Sequence, residues 1–316
     1  MSPWAGGTTQ ACFSMRSGLL SKYRNMNRLT RWLVSLPPTL FLLLFFVAPS
    51  LIMVVASFRF PGDYGGLAPL VENGHRQLTL ETYRFFFSDF IYTEIFIKSF
   101  GVALATTLIC ILLAYPLAWL IARSRKQYRD LMVLLAILPF ASNFLIRIYA
   151  WMIILGPQAA LARGLNGLLT GFGFEPVTLL FSPFAVLAGM VYVHLPFMIL
   201  PLYTNLERHD PVLLDAAQDL GANAWRRFWR VTWPLSLPGI YSGSALVFIP
   251  VLGMFAIPEI LGGTGDILIG NLIKEQFLGT RDWPFGSTLS IMLMLVVLVF
   301  AGLAAWFARR GVGRHA

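Results

Sequence analysis

Charged residues are scarce in this sequence. They occupy 12% of its 316 positions against 57% for hydrophobic ones, with a mean hydropathy of +0.69, which excludes an ordinary soluble domain. Cysteine is scarcer still. Cys12 and Cys110 are the only two, one in a polar tail and one in an apolar run, which excludes a disulfide framework and a cysteine metal site. The phosphate-cradling pattern Gly-x4-Gly-Lys-Ser/Thr is absent. A nucleotide that powered this protein would therefore have to be hydrolysed by a different polypeptide. Acids are outnumbered 15 to 24, for a net charge of +9. That excess is spread over four segments as membrane topology requires, so no nucleic-acid partner is expected.

What is present is apolar length. Runs long enough to cross roughly 30 Å of hydrocarbon cover residues 33–58, 95–122, 131–155, 183–206, 239–261 and 287–308. They predict an all-α polytopic membrane protein with six transmembrane helices. An open sheet would leave backbone groups unpaired in lipid, and the two-residue alternation of a closed barrel is missing. The expected organisation is a basic tail at 1–31, one transmembrane domain over 32–308 and a second tail at 309–316. The basic start is not read as a signal peptide, because Pro37 and Pro38 interrupt the apolar run and it is about twice as long as a signal-peptide core.

Lys and Arg favour the cytoplasmic side of short loops. Placing both termini there collects sixteen basic residues and leaves eight elsewhere. Among the sixteen are Arg123, Arg125, Lys126 and Arg129 between spans two and three, and Arg208, Arg226, Arg227 and Arg230 between spans four and five. The acids divide the opposite way, five against ten.

The loop 207–236 differs from its surroundings. Its centre, DAAQDLGANAWRRFWRVTWP at 215–234, is polar and rich in small residues. Asp210 is a good N-cap, and Pro211 fits the first helical position, where a missing N–H costs nothing. Ala216, Ala217, Leu220, Gly221 and Ala224 recur at helical spacing, giving a face on which another backbone can lie closely. Gly221 can also turn the chain. A second short helix then carries Trp225 to Arg230, until Pro234 and Pro238 break helical geometry ahead of span five. Two readings are open: a dock for a cytoplasmic partner, or an interfacial helix anchored in headgroups by Trp225, Phe228 and Trp229.

On these residues the chain resembles a known family. Asp-Ala-Ala-x3-Gly-x9-Val-x-Trp-Pro, from Asp215 to Pro234, is similar to the loop Glu-Ala-Ala-x3-Gly-x9-Ile-x-Leu-Pro of binding-protein-dependent ABC importer permeases. Asp215, Val231 and Trp233 are mild departures. The resemblance implies a type I ABC importer permease fold whose loop forms a coupling helix in a groove of the ATPase. It assigns ATPase coupling to Asp215, Ala216, Ala217, Gly221 and Arg226. It also implies the partners: a second homologous permease, an ATPase dimer at the cytoplasmic face, a periplasmic substrate-binding protein and membrane lipid. The expected location is a bacterial inner membrane with both termini cytoplasmic. ATP and Mg would be bound by the ATPase, so this chain is expected to hold no cofactor, no metal and no catalytic residue.

Further segments narrow the branch. PFASNFLIRIYAWMIILG at 139–156, PFMILPLY at 196–203 and PEILGGTGDILIGNLIKEQFLGTRDWPFG at 258–286 resemble the spermidine/putrescine permeases, in particular the first permease of the pair. The resemblance covers most of the chain from about Leu80, and the first 30 residues carry none of it. A polyamine is a flexible polycation whose path calls for carboxylates and aromatic faces. Glu259, near the outer end of span five, and Tyr149, Trp151 and Tyr192 are the candidates.

Alternatives stay open for each. Glu259 could pair with Arg147 or Lys274 or cap the Gly262–Gly263 turn, and the aromatics could be packing or interface residues. Arg147 is unexpected on a cation path. It is read as structural, in a salt bridge or at helix-end carbonyls, with guidance of an anionic substrate as the second reading. Asp266 and Asp282 would meet the binding protein or lie in a solvated rim. Pro139, Pro196, Pro201 and Pro250 permit kinks compatible with alternating access. The other readings of the whole chain are a permease for an amino acid or anion, and a secondary transporter or channel. A secondary transporter would more often show more spans, inverted repeats and intramembrane acids.

Overall fold

The computed structural model describes residues 28–69, 71–72, 75–76 and 78–312; Cys12 and most of the basic tail lie outside them. Six helical stretches among the described residues are long and apolar enough to cross a membrane: Ser35–Ser57, Phe90–Arg123, Phe144–Gly171, Pro183–Leu206, Ala224–Leu252 and Trp283–Gly302. Four of them fall on the windows read from the sequence to within a few residues. The third and fifth are displaced.

The chain divides into two units, residues 1–55 and 56–316. In the first, α1 (Arg28–Leu42) contains Pro37 and Pro38, continues through a π turn at Leu43–Val47 and enters α2 (Ala48–Ser57). The prolines that interrupt the apolar run do not interrupt the helix. In lipid a helix must satisfy its own polar groups, and hydroxyls and local π adjustments compensate where proline removes a donor.

The second unit holds α3 (Glu81–Ser88), α4 (Phe90–Arg123), α5 (Lys126–Ile137), α6 (Phe144–Leu155), α7 (Ala160–Gly171) and α8 (Pro183–Leu206). It continues with α9 (Pro211–Asp219), α10 (Ala224–Arg227), α11 (Trp233–Leu252), α12 (Ala256–Leu261), α13 (Ile269–Lys274) and α14 (Trp283–Val312). The only strands among the described residues are a two-residue hairpin pairing Val71 with Arg76 and Glu72 with His75. The fold is all-α, as the sequence predicts.

Helices α4, α8 and α11 pack against one another and form the core. Asp89 starts α4 by accepting the Ile91 N–H at 3.1 Å. The helix then buries Ala103, Thr107, Cys110, Ala114, Ala118 and Ile121, a stripe at three- and four-residue spacing. Most of these side chains are small. Lipid tails are as apolar as leucine, so helices associate in a bilayer through close approach rather than by escaping water. On α11 the buried residues Ser236, Gly239 and Gly243 use the same device. A Cβ on Gly243 would lie 2.6 Å from Met198 Sδ, and one on Gly239 2.8 Å from Asn205 Cβ, both on α8.

The third window, 131–155, is not one helix. Helix α5 ends at Ile137, Leu138–Ala141 is a 3-10 turn containing Pro139, and α6 begins after Asn143, whose side chain accepts the Leu145 N–H at 2.8 Å. Proline removes a donor and its ring crowds the preceding turn. The apolar length extends instead from Phe144 to Gly171, taking in α7, which lies beyond the 131–155 window.

The fifth window, 239–261, begins earlier and ends earlier. Helical structure is established at Ala224 and stops at Gly253, so Glu259 sits on the separate helix α12. The break expected at Pro234 and Pro238 does not occur. Phe228–Thr232 is a π turn in which the Trp233 N–H reaches the Phe228 carbonyl, and the wider turn accommodates the proline that follows.

Candidate functional site

The segment between spans four and five is built from caps. Asp210 accepts the Val212 N–H at 3.0 Å with Pro211 at the first helical position, which starts α9. The helix ends in a Schellman turn: Gly221 N–H bonds the Gln218 carbonyl at 2.8 Å and Ala222 N–H bonds the Ala217 carbonyl at 3.0 Å. Gly221 takes the left-handed conformation this requires, with φ +79°. It is therefore a turn residue, as one of its two sequence readings has it, and it does not continue the helical face of Ala216 and Ala217. Asn223 then caps α10 by accepting the Arg226 N–H at 2.9 Å.

None of residues 212–231 is buried. Asp215 and Ala216 are exposed and Ala217 is half-buried on α9, while Arg226 stands on the other arm of the hairpin. The arms are bridged by Arg227, which donates to Gln218 Oε1 at 2.7 Å.

Two polar contacts fix this hairpin to the bundle. His209 Nε2 donates to the Leu235 carbonyl at 3.1 Å. Burial pushes the His209 imidazole below its usual value, and the Arg123 charge adds to that, against the hydrogen bond to Leu235. Arg129, at the start of α5, pairs with Glu207 at the end of α8. Arg123 lies over the Trp119 ring, 4.6 Å from its centre, and both residues line a cleft of about 440 Å3 with Asp215, Arg227 and Phe228. The basic end of α4 and the hairpin thus share one end of the bundle, as the charge pattern predicted. Beneath them Tyr115 meets Phe228 and Trp233 with ring centres 5.6 Å away in each case.

The candidates for a substrate path are not gathered into one site. Trp151 and Tyr192 do meet, edge to face at 5.4 Å, against the core. Tyr149 is exposed. Glu259 pairs with Lys274, one of the partners the sequence left open. The Gly262–Gly263 turn is held instead by Asp266, whose Oδ2 accepts the Gly263 N–H at 3.2 Å and whose Oδ1 lies 3.4 Å from Lys98 Nζ. Glu259, Asp266 and Asn271 line a cleft of about 330 Å3. Asp282 caps the last helix by accepting the Phe285 N–H at 3.1 Å.

Arg147 is in none of the ion pairs among the described residues. Its guanidinium lies over Phe140, 5.4 Å from the ring centre, so the expected salt bridge is replaced by an aromatic face from the adjacent 3-10 turn. No group of three His, Cys, Asp or Glu residues able to hold a metal occurs among the described residues. Sequence reasoning missed His209 as a tether, although its place directly before the Asp210-Pro211 cap was a usable signal. It also missed the Gly239-x3-Gly243 close-packing pattern.

Comparisons with known proteins agree with this architecture. Residues 114–311 match the family described as binding-protein-dependent transport system inner membrane component. The chain is 40% identical over 269 residues to the spermidine/putrescine transport system permease protein PotB of Escherichia coli K12, covering 85% of this chain and 94% of that protein. It is 39% identical over 267 residues to the PotB of Haemophilus influenzae, covering 82% and 88%. Its fold matches a chain of a solved bacterial alginate ABC transporter in complex with its alginate-bound periplasmic protein, with a TM-score of 0.61 at 18% identity, over 89% of this chain and 94% of that one. A multi-pass chain with six apolar spans, matched over 198 residues that include the capped hairpin, belongs to the binding-protein-dependent transport system inner membrane components.

Proposed function

We propose that this chain is the translocating subunit of an ATP-powered importer for polyamines of the putrescine and spermidine class. One observation carries the mechanical part: the exposed hairpin runs without a helical break from Ala224 to Leu252, into the core. A displacement of α9 is transmitted through the capped turn to α11, and from α11 to its packing partners α8 and α4. The polyamine part is supported by the 40% identity to permeases that carry this substrate in their names.

In this reading Asp215, Ala216 and Ala217 present the docking face to a separate ATPase subunit, which binds and hydrolyses ATP, and Gly221 shapes the turn that holds them. The hairpin and both termini are cytoplasmic. A loaded periplasmic binding protein delivers its solute to a cavity shared with a second, homologous permease. The apolar outer faces of α6 and α14 meet lipid or that second permease. Glu259 then contributes by exchanging Lys274 for an ammonium of the passing polycation, with Trp151 and Tyr192 as an aromatic wall.

The test is ATP-dependent uptake of labelled putrescine and spermidine by vesicles holding both permeases and the ATPase, with binding protein outside. Uptake of either supports the proposal. ATPase stimulation by the loaded binding protein without polyamine movement leaves an importer of another solute, and uptake by the permease pair without an ATPase removes the importer reading altogether.

A further inference from the structure

The second arm of the hairpin carries a concentration of positive charge beside the docking face of α9, and it includes Arg226, which the family resemblance assigns to ATPase coupling. Arg226, Arg227 and Arg230 line one cleft of about 230 Å3 between the Gly221 turn and the base of span five, with Leu220 and Val231 as apolar walls. No carboxylate lines it. None of the three arginines belongs to an ion pair among the described residues. Arg227 spends one guanidinium N–H on Gln218, while Arg226 and Arg230 are exposed and four residues apart. The neighbouring cleft is different, since there Asp215 accompanies Arg123 and Arg227. Like charges held this close repel one another, and an anion relieves that repulsion.

Tryptophan sets the height of this cleft relative to a bilayer. Trp225, Trp229 and Trp233 form a ladder with ring centres 5.6 and 5.4 Å apart along the same helix, and Trp225 and Trp229 are exposed. Exposed indoles at the end of a membrane span sit at headgroup level. Arg226 and Arg230 alternate with them along that helix.

The geometry points to a binding site for one anionic phospholipid headgroup, its phosphate held between Arg226 and Arg230 with Arg227 beside them, and its chains along Trp229 and span five. Guanidinium forks suit this role because each can offer two N–H donors to phosphate oxygens. Basic pockets at the cytoplasmic end of membrane helices bind such headgroups for the same reason. A lipid held here fixes the height of the hairpin, so that a pull on α9 is delivered to α11 rather than lost as sliding along the surface. The inference goes beyond the transport reading and does not depend on the substrate.

The test uses the full-length protein, purified in neutral detergent and equilibrated with equal amounts of phosphatidylglycerol and phosphatidylcholine, with retained lipid read by native mass spectrometry. The wild type retains phosphatidylglycerol selectively. Arg226→Gln with Arg230→Gln weakens that retention by roughly tenfold or more, and Arg226→Lys with Arg230→Lys falls between the two. Equal retention of both lipids by the wild type, or undiminished phosphatidylglycerol in the Gln variant, overturns the site. A Gln variant that unfolds at a clearly lower temperature than the wild type marks a folding defect rather than a phosphate site and overturns it too, as does displacement of the lipid by equimolar inorganic phosphate. If the Gln variant keeps its lipid but loses the ATPase subunit in a pull-down, the arginines serve that protein and the proposal falls.

Discussion

His209 donates its Nε2 proton to the carbonyl oxygen of Leu235 at 3.1 Å. The contact joins the residue that follows span four to the base of span five, so the hairpin between them is a closed loop rather than a loose connection. Closure matters for transmission, because a movement imposed on α9 cannot be absorbed by stretching its ends apart.

That tether is expected to be pH-sensitive. Burial, assisted by Arg123, holds the His209 value below the ordinary histidine value of about 6.5. The released or unfolded ring therefore takes a proton first. The contribution of the neutral ring is complete above about pH 6.5 and is lost as pH falls through the lowered folded value. Hydrogen exchange across 210–231, corrected for intrinsic rates, should accelerate as pH falls below about 6.5. His209→Gln, which keeps a donor and removes the titration, should flatten that dependence; an equally steep profile in the variant would assign it to another group.

Gly221 separates two explanations of the turn. Its Cβ position is open, with nothing within 4 Å, so a substitution fails through backbone conformation and not through a clash. Gly221→Val should cost about 1–2 kcal/mol at φ +79° and weaken ATPase binding in a pull-down. Gly221→Asn, a residue that enters the left-handed region more readily, should retain most of it. Equal loss in both variants would show that side-chain bulk at the dock decides, as the sequence alone suggests.

Gly243 tests the core. A side chain there meets Met198 and Pro201, and Gly243→Val is expected to separate α11 from α8 at a cost of about 1–3 kcal/mol. Thermal unfolding in detergent should register the loss. Gly101→Ala, on the open face of α4 with nothing within 4 Å, should be neutral or slightly stabilising; a comparable loss there would deny the special role of the α8–α11 contact.

The Glu259–Lys274 pair is partly exposed, with side chains 44% and 30% accessible, and such pairs contribute at most about 1 kcal/mol to stability. Both Glu259→Gln and Lys274→Met should therefore fold. Uptake kinetics distinguish them: Glu259→Gln should raise KM for spermidine several-fold, while Lys274→Met should leave it unchanged or lower it. A parallel rise in both would make the pair a structural strut and remove Glu259 from the substrate path.

Much of the fold was legible in the sequence because bilayers impose length. The window 183–206, read from hydropathy, appears in the structure with those limits. The caps at Asp210 and Pro211 were equally legible, since they depend on neighbours only one or two positions away. Span five was misjudged because proline has opposite meanings in a regular turn and in a π turn. Phe228–Thr232 is such a π turn, and Phe228 and Trp233 at its ends pack on Tyr115, which lies on another helix.

The sequence by itself determined an all-α polytopic chain with a basic end, no nucleotide-binding loop and a capped polar hairpin, because hydropathy, charge and capping act over short stretches. Tertiary structure alone decided that Glu259 faces Lys274, that Arg147 rests on Phe140 rather than on an acid, and that three arginines share one cleft. Those choices are made between residues brought together by helix packing. A long flexible side chain has several partners within reach, and only the placed backbone selects among them.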